Sequence, residues 1–399
     1  MTLELNQVAS QIKTMGQNLA EQRPDRDSSL HQAQTLLRQF STEFSALHDR
    51  IQRAEKVQQS QRFGWVGAAP SGEALAEAYP LPPCPERMTI IASDGSQILP
   101  DQHAIYPYYV INVGSITYRH GSNRKPDTYN PPPVLNYEPF DEQGRLLSAP
   151  EINVQRDLDE LKILVDRVEQ LGPQSEPVIA LMDGQLPLRV IDLEFREQEK
   201  WQGRYIDLLD TLRQWQALLG AYVDRPRSTF VLALLHLASR EIAGITEENL
   251  GQNPFRQLTD LDLFDFLEPG QRSAIFTIRA KGLDKYDTAG QTVHFFYVNV
   301  GKGRARSYLA RVEIPAWVAG DQAALDILHA AIVDQARLTG DYPYVLARAD
   351  ELAVISHEER EAVEMMLALE MRRLGLTPDI SSKQRSKNAF RSRKRGFNL

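Results

Sequence analysis

The chain has 399 residues, with 45 Lys and Arg against 53 Asp and Glu, for a net charge of −8. That length suits one large domain or two modest ones, and 42% hydrophobic with 25% charged residues excludes fibrous and disordered classes. No apolar run approaches the ~20 residues that span a bilayer, and the polar, acid-containing residues 1–22 do not read as a secretory leader. The single cysteine, Cys84, excludes an internal disulfide and a cysteine-based zinc site, and points to the reducing cytoplasm.

The first 60 residues read as helix. Leu30, Ala33, Leu37, Phe40, Phe44, Leu47, Ile51 and Ala54 follow alternating steps of three and four, a heptad seam, with Asp27, Ser28 or Ser29 as N-cap. Such a stripe needs cover, either from the chain's own body or from a second subunit. Residues 1–63 are read as this helical extension and 64–87 as a Gly/Pro-rich linker. A body over 88–380 and a basic flexible tail over 381–399 follow.

Residues 88–96 (MTIIASDGS) read as a short strand ending in an acid and a turn, 105–117 as a strand pair, and 119–133 as loop. An amphipathic helix spans 153–171, and residues 177–184 (PVIALMDG) form a second buried strand ending in Asp-Gly. Beyond it the pattern predicts a helix over 201–216, a strand over 218–223 and a helix over 228–239. Strands at 273–276, 294–300 and 306–314 follow, the last alternating and basic. Then come a helix over 325–337 and residues 342–349, which lead into a final helix through about 373. Strands and helices alternate, so the class is α/β.

The chemistry gathers at the two strand–Asp–Gly units. A buried strand holds its last residue rigidly, and glycine lets the chain turn away beside the carboxylate. If the strands are neighbours, Asp94 and Asp183 share one sheet edge, where ligands bind open α/β sheets. Two nearby carboxylates repel unless a cation sits between them, and hard oxygen donors select Mg²⁺ or Mn²⁺. Such ions suit phosphodiester cleavage.

Several segments taken together resemble the NurA family of DNA-end-resecting nucleases. They are IIASDGS (90–96), VIALMDGQL (178–186), LLGAYVDRPRS (218–228), LTDLDLFDFLEPGQRSAIF (258–276), SYLARVEIPAWVA (307–319) and YPYVLARADELAVIS (342–356). The resemblance covers about residues 88–376. It implies a ribonuclease-H-like mixed sheet flanked by helices and Mn²⁺-dependent exo- and endonuclease activity on DNA ends at double-strand breaks. It also implies a homodimer and a hexameric HerA-type translocase as partner. Asp94 and Asp183 match the first and second motif aspartates. A helical glutamate lies between them in the family, and Arg156-Asp157-Leu158-Asp159-Glu160 is the matching stretch; Glu160 is favoured, with Asp157 in reserve.

The chain departs from the family in two places. Asp350 stands after Arg-Ala where a histidine is usual; it can hold a metal but cannot donate a ring N–H. His357, seven residues on, is a weak substitute. The second motif reads MDGQ where a serine or similar small residue is common. Asp94, Glu160, Asp183 and Asp350 are therefore the catalytic candidates, and the first three the Mn²⁺ or Mg²⁺ ligands. Arg225, Arg227, Lys302, Arg304 and Arg306, joined by Arg311, are candidates for a groove along the phosphate backbone.

Seven bases and no acid occupy 383–399, with Phe390 and Phe397 among them; without that tail, 38 bases face 53 acids. If so acidic a body binds nucleic acid, it must do so through a local basic channel and this tail. No P-loop pattern occurs, so translocation has to come from a partner. No G-x-S-x-G and no paired histidines occur either, which argues against a serine hydrolase and a zinc site. The alternative to a nuclease is a catalytically weakened NurA-like DNA-binding or regulatory subunit, with an RNA-directed nuclease as a remote third reading.

Overall fold

The structure, a computed structural model, describes residues 4–61, 64–101, 106–141, 144–190, 192–303 and 307–376. Arg304, Arg306 and the basic tail lie outside the described residues. In chain order the elements are α1 (Leu5–Gln39), α2 (Phe44–Val57), β1 (Gly67–Pro70), β2 (Met88–Ile98), β3 (Tyr109–His120), β4 (Asp127–Tyr129), β5 (Val134–Asn136), α3 (Ala149–Leu171), β6 (Val178–Asp183), α4 (Phe195–Gln214) and β7 (Leu218–Asp224). There follow α5 (Phe230–Ala238), α6 (Glu247–Leu250), α7 (Asp260–Leu263), β8 (Phe276–Arg279), α8 (Asp284–Thr288), β9 (Val293–Asn299), β10 (Leu309–Pro315), α9 (Ala316–Ala319), α10 (Gln322–Thr339), α11 (Tyr344–Ala353) and α12 (His357–Arg373). The chain divides into two compact units.

The first unit comprises residues 1–85, 184–187 and 218–343. Its strands run in the order β1-β8-β9-β10-β7, each pair antiparallel. The heptad seam is interrupted at residues 40–43, so two helices replace the single one expected, and α1 runs from Leu5 through Pro24 with no cap near residue 28. Ala33, Leu37, Phe40, Leu47, Ile51 and Ala54 are nevertheless buried, with α1 packed on α5 and α7 and α2 on α5 and β1. The chain's own body covers this much of the stripe.

Aromatic rings fill the core. Phe264 stacks on Tyr297 at 5.0 Å, and Phe276 on its cross-strand partner Phe295 at 5.5 Å. Buried Asp260 accepts from the Val231 and Leu232 N–H groups at 3.1 and 3.0 Å, closing the start of α5. Strand β10 departs from the reading of a basic alternating strand, because every residue of it is buried. Arg311, 2% exposed, pairs with Glu313 at 2.7 Å and lies over the Phe230 ring. A guanidinium so enclosed is spent on its internal partner, so Arg311 does not line a phosphate groove.

The second unit comprises residues 86–183, 188–217 and 344–399. Its strand order is β6-β2-β3-β4, with β5 also on β3. Strands β2, β3 and β4 are antiparallel neighbours, and β6 returns parallel to β2 after the crossover helix α3. Three antiparallel strands, a crossover helix and a strand parallel to the first make the ribonuclease-H-like mixed sheet flanked by helices that the sequence suggested.

Helix α3 begins four residues earlier than expected because Ser148 and Glu151 form a reciprocal capping box, with Pro150 in the first turn. Its buried face carries Ile152, Val154, Leu161, Leu164, Val165 and Val168. The expected strand pair over 105–117 is the single strand β3. The expected loop over 119–133 holds the end of β3 and all of β4. The expected final helix is two helices, α11 and α12, separated at residues 354–356, where Ser356 caps α12 with Glu359.

Candidate active site

Strand β2 does not end at Asp94. It runs on to Ile98, and Asp94 lies inside it, paired with Gly114 across the ladder. The turn expected at Asp94-Gly95 is absent, and the glycine serves another purpose. A Cβ at position 95 would sit 2.6 Å from Glu160 Oε1 and 2.9 Å from Arg156 Cγ. Gly95 is the gap through which α3 brings two charged side chains to the strand. The second unit of the motif behaves as expected: Asp183 closes β6, and Gly184 follows at φ +89°.

The ladder register brings the two aspartates together. Parallel pairing of β2 and β6 runs from Thr89↔Val178 to Ser93↔Met182. Asp94 and Asp183 are the next residue on each strand, one strand spacing of about 4.8 Å apart and on the same face. Alternation along β2 then separates its two faces. Ser93 donates to the Glu160 carbonyl at 2.9 Å, and Gly95 faces Arg156 and Glu160, so the odd positions look towards α3. Ser96 donates to the Ala353 carbonyl, and Gly114, the partner of Asp94, has Leu352 against it. Asp94 thus lies on the face covered by α11.

Asp350 reaches Asp94 from that helix. The Asp350 carboxyl group is close enough to act on that of Asp94. Burial pushes the Asp94 carboxyl up to about 6, against the Gly95 N–H that donates to its Oδ1 at 2.8 Å, and the Asp183 and Asp350 carboxylates add to the rise. Helix α11 is held in place by its C-terminal carbonyls: Asn112 Nδ2 donates to Ala353 O at 2.7 Å and Asn130 Nδ2 to Leu352 O at 2.6 Å. The substitution of aspartate for the expected histidine therefore brings a further carboxylate beside Asp94.

Glu160 comes from the opposite face. It is 8% exposed, and burial, with Asp157 next, holds its carboxyl well above the ordinary range; Arg156 opposes this, and Asp94 and Asp183 reinforce it. Its Oε1 is buried with no hydrogen-bond partner. Arg156 Nε lies 3.0 Å from that oxygen, while Nη2 lies 2.6 Å from Asp157 Oδ1 and Nη1 donates to Gln97 Oε1 at 3.1 Å. Asp157 is tied up by Arg156, whereas Glu160 joins the electrostatics of both aspartates. Sequence reasoning passed over Arg156 and Gln97; the signal was the i,i+4 spacing of Arg156 and Glu160.

A buried carboxylate held by one ion pair, beside further carboxylates, suits a hard divalent cation. Among the described residues these acids do not gather three oxygens within 4.8 Å of one another.

Arg225, Arg227 and Lys302 are exposed and belong to the first unit. Arg225 lies over the Tyr308 ring at 4.9 Å with φ at +41°. His357 is 75% exposed at the start of α12 and faces Glu361 at 3.3 Å, so it stands in for no missing histidine.

The NurA domain model matches residues 88–355. The chain belongs to the NurA family. All four candidate acids fall inside the matched stretch. No curated protein matches the chain. Among solved structures, the C-terminal lobe of a budding yeast Argonaute is similar at 11% identity and TM-score 0.31, over 70% of this chain and 49% of that one, so the chain spans about half its length. The catalytic domain of human Endonuclease V is similar at 12% identity and TM-score 0.32, over 73% of this chain and 85% of that one. LC9-RNase H1, a type 1 RNase H with the type 2 active-site motif, is similar at 11% identity and TM-score 0.22, over 42% and 77%. No described helix is long and apolar enough to cross a membrane.

Proposed function

We propose that this NurA-family chain is a divalent-metal-dependent DNA nuclease, with Asp94, Glu160 and Asp183 as metal ligands and Asp350 as a fourth carboxylate. One observation carries the reading. Four acids from β2, α3, β6 and α11 influence one another electrostatically, and the most buried of them, Glu160, has Arg156 beside an oxygen that makes no hydrogen bond. A buried carboxylate that leans on a single guanidinium, with other acids near it, suits a divalent cation. Family membership supports a nuclease. Bound Mn²⁺ or Mg²⁺ would supply an activated water and stabilise the leaving oxygen.

The chain's own residues orient and exclude. Asp94 is fixed by the strand and by the Gly95 N–H, and Asp183 by the end of β6. Glu160 is held in a dry environment that strengthens its pull on a cation. Cleavage should be indifferent to base sequence, because nothing in the acid cluster reads base edges. Arg225, Arg227 and Lys302 are exposed and available to phosphates, and with Arg304 and Arg306 they form the proposed backbone contacts.

The test is incubation of the purified full chain with linear single- and double-stranded DNA and an RNA control, in Mn²⁺, Mg²⁺ or EDTA. Metal-dependent DNA degradation is expected, falling at least about 100-fold in Asp94→Ala, the scale of removing one charge-stabilising group from a transition state. DNA binding without cleavage in every metal overturns the enzyme and leaves the weakened, regulatory reading that Asp350 raises. RNA cleavage in preference to DNA overturns the substrate. The proposal extends to a homodimer acting in the cytoplasm with a HerA-type hexameric ATPase on double-strand-break ends. Light scattering and co-purification with the motor check those assemblies.

A further inference from the structure

Arg156 has no role in the reading above, yet it is the cation already present among the acids. Its guanidinium is about one quarter exposed and lies 3.0 Å from the very oxygen of Glu160 that lacks a hydrogen bond. Gly95 leaves the space its Cγ occupies. The same guanidinium has two other partners, Asp157 on its own helix and Gln97 on β2. Those two are enough to hold it, so it can leave Glu160 without being stranded.

A divalent ion on a carboxylate oxygen sits about 2.0–2.6 Å from it. With Arg156 also on that oxygen, two positive groups would be crowded together at a half-dry site, where screening is weak. One has to give way. We propose that Arg156 is the resident counter-ion of Glu160, a residue that sets metal affinity because an incoming divalent cation must displace its guanidinium. It neutralises the buried carboxylate while no metal is bound, and so restrains binding to cations whose attraction exceeds that of a single fixed charge. This inference rests on the metal-site reading of the preceding section.

The test needs no turnover. Free Mn²⁺ is followed by its electron paramagnetic resonance signal during titration of the full chain, without DNA. Arg156→Gln removes the competing charge and is expected to tighten Mn²⁺ binding three- to tenfold relative to wild type. Arg156→Lys, a compact charge that cannot reproduce the three-way contact, is expected to fall between the two. A purely structural arginine would give the opposite sign, because its loss would loosen Glu160 and weaken binding. Unchanged or weaker binding in Arg156→Gln, with a wild-type circular dichroism spectrum, overturns the inference. If Arg156→Gln does not fold, Arg156→Lys decides by the same sign. Asp94→Asn separates the two readings. If wild type binds and Asp94→Asn does not while both Arg156 variants match wild type, only the counter-ion fails. If wild type itself binds no Mn²⁺, the metal site fails with it.

Discussion

Asn112 on β3 donates from Nδ2 to the Ala353 carbonyl of α11 at 2.7 Å, and Ser96 on β2 donates to the same oxygen. A carbonyl has two lone pairs, and here each has its own donor. Removing either side chain leaves the oxygen satisfied; removing both leaves it bare at a helix end. Asn112→Ala and Ser96→Ala are each expected to cost roughly 1 kcal/mol or less, and the double variant more than their sum. Urea melts of the four proteins measure this coupling, and strict additivity would contradict it. Because α11 carries Asp350, nuclease activity should fall further in the double variant than in either single one.

Gly95→Ala introduces a methyl group where Glu160 Oε1 would be 2.6 Å away. The carboxylate or α3 has to move. We expect a loss of about 1–3 kcal/mol, the usual scale of overpacking, together with Mn²⁺ binding weakened by at least tenfold. A variant that binds Mn²⁺ as wild type does would show that Glu160 is not a ligand.

Glu160→Gln separates stability from function. Burial holds the Glu160 carboxyl well above its ordinary range, so the folded state favours the neutral form and ionisation at pH 7 costs stability. Gln is a neutral isostere. In EDTA the variant should therefore melt at or above the wild-type temperature. Addition of Mn²⁺ should raise the wild-type midpoint by mass action and leave the variant unmoved. A lower midpoint in EDTA would mean that the ion pair with Arg156 outweighs the burial.

His329, in the first unit, offers a pH handle. Its imidazole is fully buried, shares a hydrogen bond with the Gly270 carbonyl at 2.8 Å, and is held down to about 4, chiefly by burial. The unfolded chain takes up this proton near pH 6.5, the folded chain only near 4. Stability from this group is complete above pH 6.5 and is lost as pH falls towards 4, by about 1.4 kcal/mol per unit. His329→Gln should thus lose roughly 2 kcal/mol less than wild type between pH 7 and 5, as read from urea midpoints. Equal acid sensitivity of the two proteins would rule this out.

Much of the second unit was legible because its signals are local. The strand–Asp–Gly patterns located both aspartates, and the apolar stripe of α3 located its buried face. The role of Gly95 was not legible. A turn glycine and a clearance glycine look alike in sequence, and only the arrival of α3 from sixty residues away distinguishes them. Arg311 was misjudged for a related reason: basic residues in an alternating strand read as solvent-facing until a buried Glu313 two residues on supplies the partner. The interruption of the heptad seam at residues 40–43 also escaped detection, since the spacing of apolar residues survives a turn that happens to preserve phase.

Positions 94, 160 and 183 leave the ribosome early and belong to neighbouring elements, while position 350 arrives on α11 after most of the first unit has been made. Asp94 acquires this neighbouring carboxyl group only at that stage. The carboxylate at position 350 is therefore the last of the four to join a growing chain.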